Sequence, residues 1–132
     1  MKIIHKTRLL AINGEQLLVI EKVVKEKKLT FPGGVKKKKE SFEESLERET
    51  EEEIGLKISK HKLLHVQSYA VHRDLNIVMK HHFVLHTKTN EFRVLEPTKF
   101  KDAYWIHWKE ALPLLDNEDR KATKTYFKKN IK

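Results

Sequence analysis

The chain opens on short aliphatic runs and returns to them at intervals, and their spacing predicts where the strands lie. Residues 2–10 and Gln16–Val23 are aliphatic-rich and are separated by Asn13-Gly14, a pair that readily adopts the positive φ of a tight turn. Together they predict a β-hairpin. The lysine-rich stretch that follows is broken by Pro32-Gly33-Gly34 and reads as an irregular loop. At Ser41 the pattern becomes helical. Its hydroxyl can accept from first-turn amides while Glu44 reaches back, a capping box that starts a helix over Ser41–Ile54. Gly55 suits the left-handed position beyond a helix end. The runs "HKLLHVQSYAV" and "NIVMKHHFVLHT", with a break at "HRDLN", are rich in strand-forming residues, and "AYWIHW" is a further strand. Asp116 caps a final helix over Glu118–Lys129, with Ala122, Tyr126 and Phe127 as its buried stripe. Strands, one helix, several strands and then helical segments give an α+β class with a mixed sheet.

With 132 residues the chain suffices for one domain, residues 1–132, with its own core. The absence of cysteine excludes a disulfide framework and a thiolate metal site, and favours a reducing compartment. The start "MKIIHKTRLLAING" interrupts its apolar run with charges, unlike a signal peptide or a membrane span, so the expected setting is cytoplasmic, without a membrane.

Charge changes the picture more. The net charge is +9, yet Ser41–Ile54 holds seven Glu and one Arg, so an island of −6 sits within a remainder of +15. Segregation of this kind suggests a partner that is anionic, or an anion together with cations, and phosphate-bearing ligands come first. Histidine metal binding does not fit. His81 and His82 point to opposite faces of any strand, and no ligand spacing recurs among them and His86.

On a wheel of about 100° per residue, Glu49 and Glu53 fall on the side of Phe42 and Leu46, with Glu52 nearby. Glu43, Glu44, Glu47 and Glu51 fall opposite, as a solvated face in which Glu47 and Glu51 are expendable. Glu49 and Glu53 are a like-charge (i, i+4) pair, and burial raises its cost to several kcal/mol unless something compensates. Basic side chains can do so. Divalent cations with hard oxygen ligands, Mg²⁺ or Mn²⁺, can do so too.

Read with the loop before it, the helix completes a pattern of Gly34, Glu40, Arg48, Glu49, Glu52, Glu53 and Gly55 across residues 34–56. This resembles the box of the Nudix hydrolase family, and most of the chain is similar in order to a small, MutT-like, single-domain member. The resemblance implies an α/β/α sandwich with a mixed β-sheet. It implies Mg²⁺- or Mn²⁺-dependent hydrolysis of a nucleoside diphosphate linked to another group, most simply a (d)NTP or related small nucleotide. Glu49, Glu52 and Glu53 are then the expected metal ligands, and the Gly34 backbone carbonyl a further one. Glu52, or a glutamate outside the box, takes the proton of the attacking water. Arg48 orients the carboxylates. Glu96, with Glu91 as the alternative, is the expected ligand from outside the box. Departures from the pattern are Thr50, where the box has an aliphatic residue, and the loop lysines Lys37 and Lys39. Lys36–Lys39 either grip a polyphosphate or RNA end or stay solvated. Phe31, Tyr104, Trp105 and Trp108 either stack on a base or pack in the core. The lysine-rich segments 22–39 and 120–132 raise the alternative of an RNA 5′-end pyrophosphohydrolase, and a non-catalytic nucleotide- or nucleic-acid-binding domain is the other. A monomer or a homodimer is expected.

Overall fold

The structure, a computed structural model, describes residues 1–130; Ile131 and Lys132, the end of the basic segment 120–132, lie outside the described residues. The elements are β1 (Ile3–Asn13), β2 (Gln16–Lys22), β3 (Leu29–Thr30), α1 (Phe42–Ile54), β4 (Leu64–Arg73), β5 (Asn76–His86), β6 (Phe100–His107), α2 (Trp108–Ala111) and α3 (Asn117–Asn130). Gly14 takes φ +61° in the hairpin turn, as the Asn-Gly pair predicts. The supposedly irregular stretch before the helix contains β3, which pairs with β2 through Ile20–Thr30 and Glu21–Leu29. Two residues are too short to leave an alternating pattern.

The sheet is mixed, ordered β3-β2-β1-β5-β4 with β6 on β2. β1 and β5 run parallel from Ile3–Ile77 to Ile12–His86. β1 and β2 pair only beside their turn, at Ile12–Leu17 and Asn13–Gln16, and then diverge. Into the fork comes the segment after β3. Leu9 N–H donates to Pro32 O (2.8 Å), Thr7 N–H to Gly34 O (2.9 Å) and Lys36 N–H to His5 O (2.8 Å).

Alternation along the strands divides the apolar residues between two faces. Leu9, Ala11, Leu18 and Ile20 pack under α1 with Leu46 and Ile54. Leu10, Ile12, Leu17 and Val19 pack on the other side with Trp108 and Phe127, whose rings stack 4.8 Å apart at 3°. Each such fully buried side chain contributes about 2 kcal/mol relative to exposure. The result is the expected α/β/α sandwich. Ala122 and Phe127 are buried in α3, Tyr126 is half-buried, and the Asp116 carboxylate accepts from Asp119 N–H at 3.0 Å as its cap. Among the described residues no helix is long and apolar enough to cross a membrane.

Candidate active site

The acidic helix is built as its sequence dictates. Ser41 Oγ accepts from Glu44 N–H at 3.0 Å, the Glu44 carboxylate accepts from Ser41 N–H at 2.9 Å, and Gly55 closes the helix at φ +65°. The loop in front of it is fastened by Arg48. Its guanidinium makes a two-pronged pair with Glu40 (2.6 and 2.9 Å), and reaches Glu49 at 2.9 Å, Glu52 at 3.4 Å and the Val35 carbonyl at 3.1 Å. Planar bidentate pairing is the strong form of this contact. The Arg48 hydrogen bond holds the Glu40 carboxyl down to about 2.

Thr50, in place of an aliphatic residue, is fully buried, and its hydroxyl returns to the Leu46 carbonyl at 2.8 Å and the Glu47 carbonyl at 3.2 Å. No polar group is stranded by the departure from the pattern. Glu47 is not the idle surface residue that the wheel suggests, because its carboxylate accepts from Lys60 N–H at 3.2 Å and so ties the chain after α1 back to the helix. Glu51 is exposed.

Glu53 is the unusual group. It is only 6% exposed, and one of its oxygens accepts from Gly33 N–H at 2.9 Å. Burial, opposed by that N–H and reinforced by the nearby charges of Glu49 and Glu96, pushes its carboxyl up to about 8. Glu49 lies against the loop so closely that a Cβ on Gly34 would come within 2.6 Å of its carboxyl carbon. A side chain at that position would displace the Glu49 carboxylate. Glu52 is less enclosed than the other two: 53% of its side chain is exposed, against 16% for Glu49, and it lies 3.4 Å from Arg48. Leu95 N–H donates to Glu53 O and Arg93 N–H to Ile54 O, both at 2.9 Å, which brings the segment carrying Glu96 to the end of α1.

A model of the NUDIX domain matches residues 5–126. The chain belongs to the Nudix family. As a member it is a hydrolase of phosphorus-containing anhydrides, a nucleotide pyrophosphohydrolase. Among solved structures, the E. coli ORF135 protein superposes with a TM-score of 0.82 at 20% identity, covering 97% of this chain and 91% of that one. The MutT protein from Methanosarcina mazei Go1 gives 0.79 at 17% identity, over 99% and 97% of the two chains. A C. elegans Ap4A hydrolase gives 0.68 at 15% identity, over 95% and 96%. No curated protein matches the sequence at a significant level.

In this Nudix chain the donor set around Gly33–Gly34 is all oxygen, the set that suits a hard divalent cation. The Gly34 carbonyl accepts one bond from Thr7 and keeps its second lone pair. Among the described residues no three His, Cys, Asp or Glu side chains surround a common point, and Glu49 and Glu52 both contact Arg48. The residues nonetheless fit a cation: Glu53 is buried without an ion-pair partner among the described residues, Glu49 lies against the Gly34 backbone, and Glu49 and Glu52 share a single guanidinium, that of Arg48.

The remaining expected site residues scatter. Phe31 is 1% exposed in the α3-side core and presents no face to a ligand, because the chain enters the fork between β1 and β2 immediately after β3. Trp105 is half-buried, donates its indole N–H to Thr89 O at 3.1 Å and meets Phe92 edge-on, so it holds the segment after β5 in place. Trp108 is core, and the Tyr104 hydroxyl donates to Glu21 at 2.9 Å. Lys37 and Lys39 stand in solvent. Glu91 is exposed beside Gly55 and Leu56, whereas Glu96 is the outside carboxylate whose charge reaches Glu53. His81 faces α1, with its ring 4.1 Å from that of Phe42, and His82 faces α3, 2.7 Å from Asp119. Arg8 was not anticipated. Its charge acts on both Glu53 and Asp116. The signal was a basic residue at every second position, Lys6 and Arg8, on the face that continues as Leu10 and Ile12.

Proposed function

We propose that the protein hydrolyses a pyrophosphate bond in a nucleoside diphosphate linked to a further group, with a (d)NTP or related small nucleotide as substrate and Mg²⁺ or Mn²⁺ as cofactor. Glu49, Glu52, Glu53, Glu96 and the Gly34 carbonyl hold the cation. The observation that carries this reading is Glu53, a buried carboxylate with two carboxylate neighbours and a glycine loop pressed against it. When bound, the metal neutralises phosphate oxygens and lowers the pKa of a coordinated water. Everything else falls to the chain's own groups. Glu53 is oriented by the Gly33 N–H. Arg48, itself held by Glu40, sets the positions of Glu49 and Glu52. Glu52, the most exposed of the three, takes the proton of the attacking water, with Glu96 as the alternative. A cytoplasmic setting accords with a cysteine-free chain.

The test is a panel of (d)NTPs, ADP-ribose, nucleotide sugars, dinucleoside polyphosphates and 5′-triphosphorylated RNA, each with Mg²⁺, against a Glu53→Gln control. A loss of at least about 100-fold is expected in the control. Undiminished activity sinks the assignment, and nucleotide binding without Mg²⁺-dependent release of phosphate or nucleoside monophosphate favours a binding domain. The remainder of +15 around the acidic helix supports a second reading, removal of pyrophosphate from RNA 5′ ends. That reading requires rates on triphosphorylated RNA above those on free NTPs at low salt.

A further inference from the structure

A cleft of about 530 Å³ opens on the α3 side of the sheet, between the end of β2, residues 26–30 and the turn at Pro113–Asp116. Lys22, Lys28, Arg73 and Arg120 line it, against Glu26 and Asp116. Some of these are already committed. The Asp116 carboxylate accepts from Lys80 Nζ at 2.6 Å and from Asp119 N–H at 3.0 Å, and the Arg120 guanidinium donates to the Leu112 and Leu115 carbonyls at 2.9 Å each. Among the described residues the side chains of Lys22, Lys28 and Arg73 have no ion-pair partner.

More cations stand beside them. Lys6 and Lys80 are partners in the β1–β5 register, and Arg8 follows on the same face; Lys80 is already held by Asp116 at 2.6 Å and Glu118 at 3.3 Å, whereas Lys6 and Arg8 have no ion-pair partner among the described residues. Burial, then the charges of Arg8, Lys80, Arg73 and Lys22, lowers the Lys6 pKa from its ordinary value. Cations so gathered repel one another, and an anion entering the cleft relieves that repulsion. The cleft is also near the acidic site. Arg8 acts electrostatically on Asp116 at the one and on Glu53 at the other. Thr30 on the cleft wall is three residues from Gly33, at most about 10 Å along an extended chain. One nucleoside can bridge that distance.

We infer that this cleft binds a second, separate phosphoryl group of the substrate, carried on the ribose of a nucleotide whose pyrophosphate lies at Gly33 and Glu53. The inference rests on the proposed function for the position of the pyrophosphate. Two sources share the chemistry: a free nucleotide with a ribose phosphate, and the 5′ end of an RNA, whose first ribose carries the next phosphate.

Binding is measured by calorimetry in EDTA at low salt, with ADP, with ADP bearing a 3′-phosphate, and with a 5′-diphosphorylated RNA dinucleotide. The ribose-phosphorylated ligands bind about tenfold more tightly than ADP, as a charge-assisted contact provides. In Lys28→Gln/Arg73→Gln, and separately in Lys22→Gln, that ratio falls below about threefold. All three positions are exposed, and the thermal midpoint of each variant reports its folding. An advantage for the free nucleotide alone identifies a small-molecule source, and an advantage for the dinucleotide alone identifies an RNA end. Equal binding of all three ligands, or an advantage that survives in every folded variant, overturns the inference. Neither metal nor turnover enters this measurement, so its failure leaves the hydrolysis panel untouched. Hydrolysis that is lost in Glu53→Gln would then stand without a ribose-phosphate site.

Discussion

Gly33→Ala tests how the glycine loop is seated. Gly33 adopts φ +143°, and a Cβ built there would lie 1.9 Å from the Thr7 carbonyl oxygen and 2.7 Å from its carbon. Both are backbone atoms of β1, which is hydrogen-bonded to β5 on one side and to residues 32–36 on the other, so neither can yield. A side chain in that region of φ costs about 1–3 kcal/mol, and the backbone shift that relieves the overlap costs about as much again. The sum is about 4 kcal/mol, a fall of roughly 14 °C in Tm for a chain of this size. The control is Gly34→Ala. There the added Cβ meets the carboxyl of Glu49 at 2.6–2.7 Å, the far end of a side chain that can rotate away. It loses less than about 1 kcal/mol of stability. Displacing Glu49 from Arg48 lowers the rate of hydrolysis instead. Urea unfolding followed by circular dichroism separates the two, with hydrolysis measured on the folded fraction. A Gly33→Ala protein within about 0.5 kcal/mol of wild type, or a Gly34→Ala protein as unstable as Gly33→Ala, refutes the reasoning.

Arg48→Gln removes a bidentate pair and leaves the Glu40 carboxylate with the Lys37 N–H alone, for a loss of about 2 kcal/mol by chemical denaturation. Because the folded Glu40 carboxyl sits near 2 rather than 4.5, its contribution is complete above about 4.5 and disappears as pH falls toward 2. That acid limb of the stability profile weakens in the variant, and an unchanged limb contradicts the assignment. His81 gives a different window. Burial, then the charges of His5, His65 and His82, lowers its pKa to about 4 from 6.5, so the unfolded chain takes up the proton first. Stability is complete above about 6.5 and declines as pH falls toward 4, and His81→Gln reduces the slope of denaturation midpoints across that interval. Thr50→Val removes a hydroxyl that bonds only carbonyls of its own helix, so stability stays level or rises by up to about 1 kcal/mol, whereas a loss of 2 kcal/mol or more reveals a tertiary role.

The elements most legible in the sequence were those set by local chemistry. The capping box of Ser41 and Glu44 and the glycine at 55 appear where they were expected, since each depends on a few neighbouring residues. The hairpin turn and the cap at Asp116 belong to the same class. What a wheel cannot give is the rotamer and partner of a long side chain. It grouped Glu52 with the inward carboxylates, but that side chain stands half-exposed beside Arg48, and it left Glu47 idle although a backbone amide 13 residues on claims it. Phe31 was equally opaque, because its burial is decided by how the chain after β3 enters the fork between β1 and β2, a pairing between distant segments. The cationic end of the α3-side face lay in view as Lys6 and Arg8. It becomes a cluster only when the parallel register sets Lys80 beside them.

The three backbone bonds that fasten residues 32–36 to β1 carry a consequence for how the site moves. A glycine loop is ordinarily a first place for a protein to open, yet here the amides of Thr7, Leu9 and Lys36 are locked into the sheet between an interior strand and the box. Their hydrogen exchange tracks the unfolding of the sheet rather than a private fluctuation of the loop. Ligand arrival therefore finds the cradle already formed, and the adaptation that remains is confined to the side chains that Arg48 gathers rather than the closing of a lid.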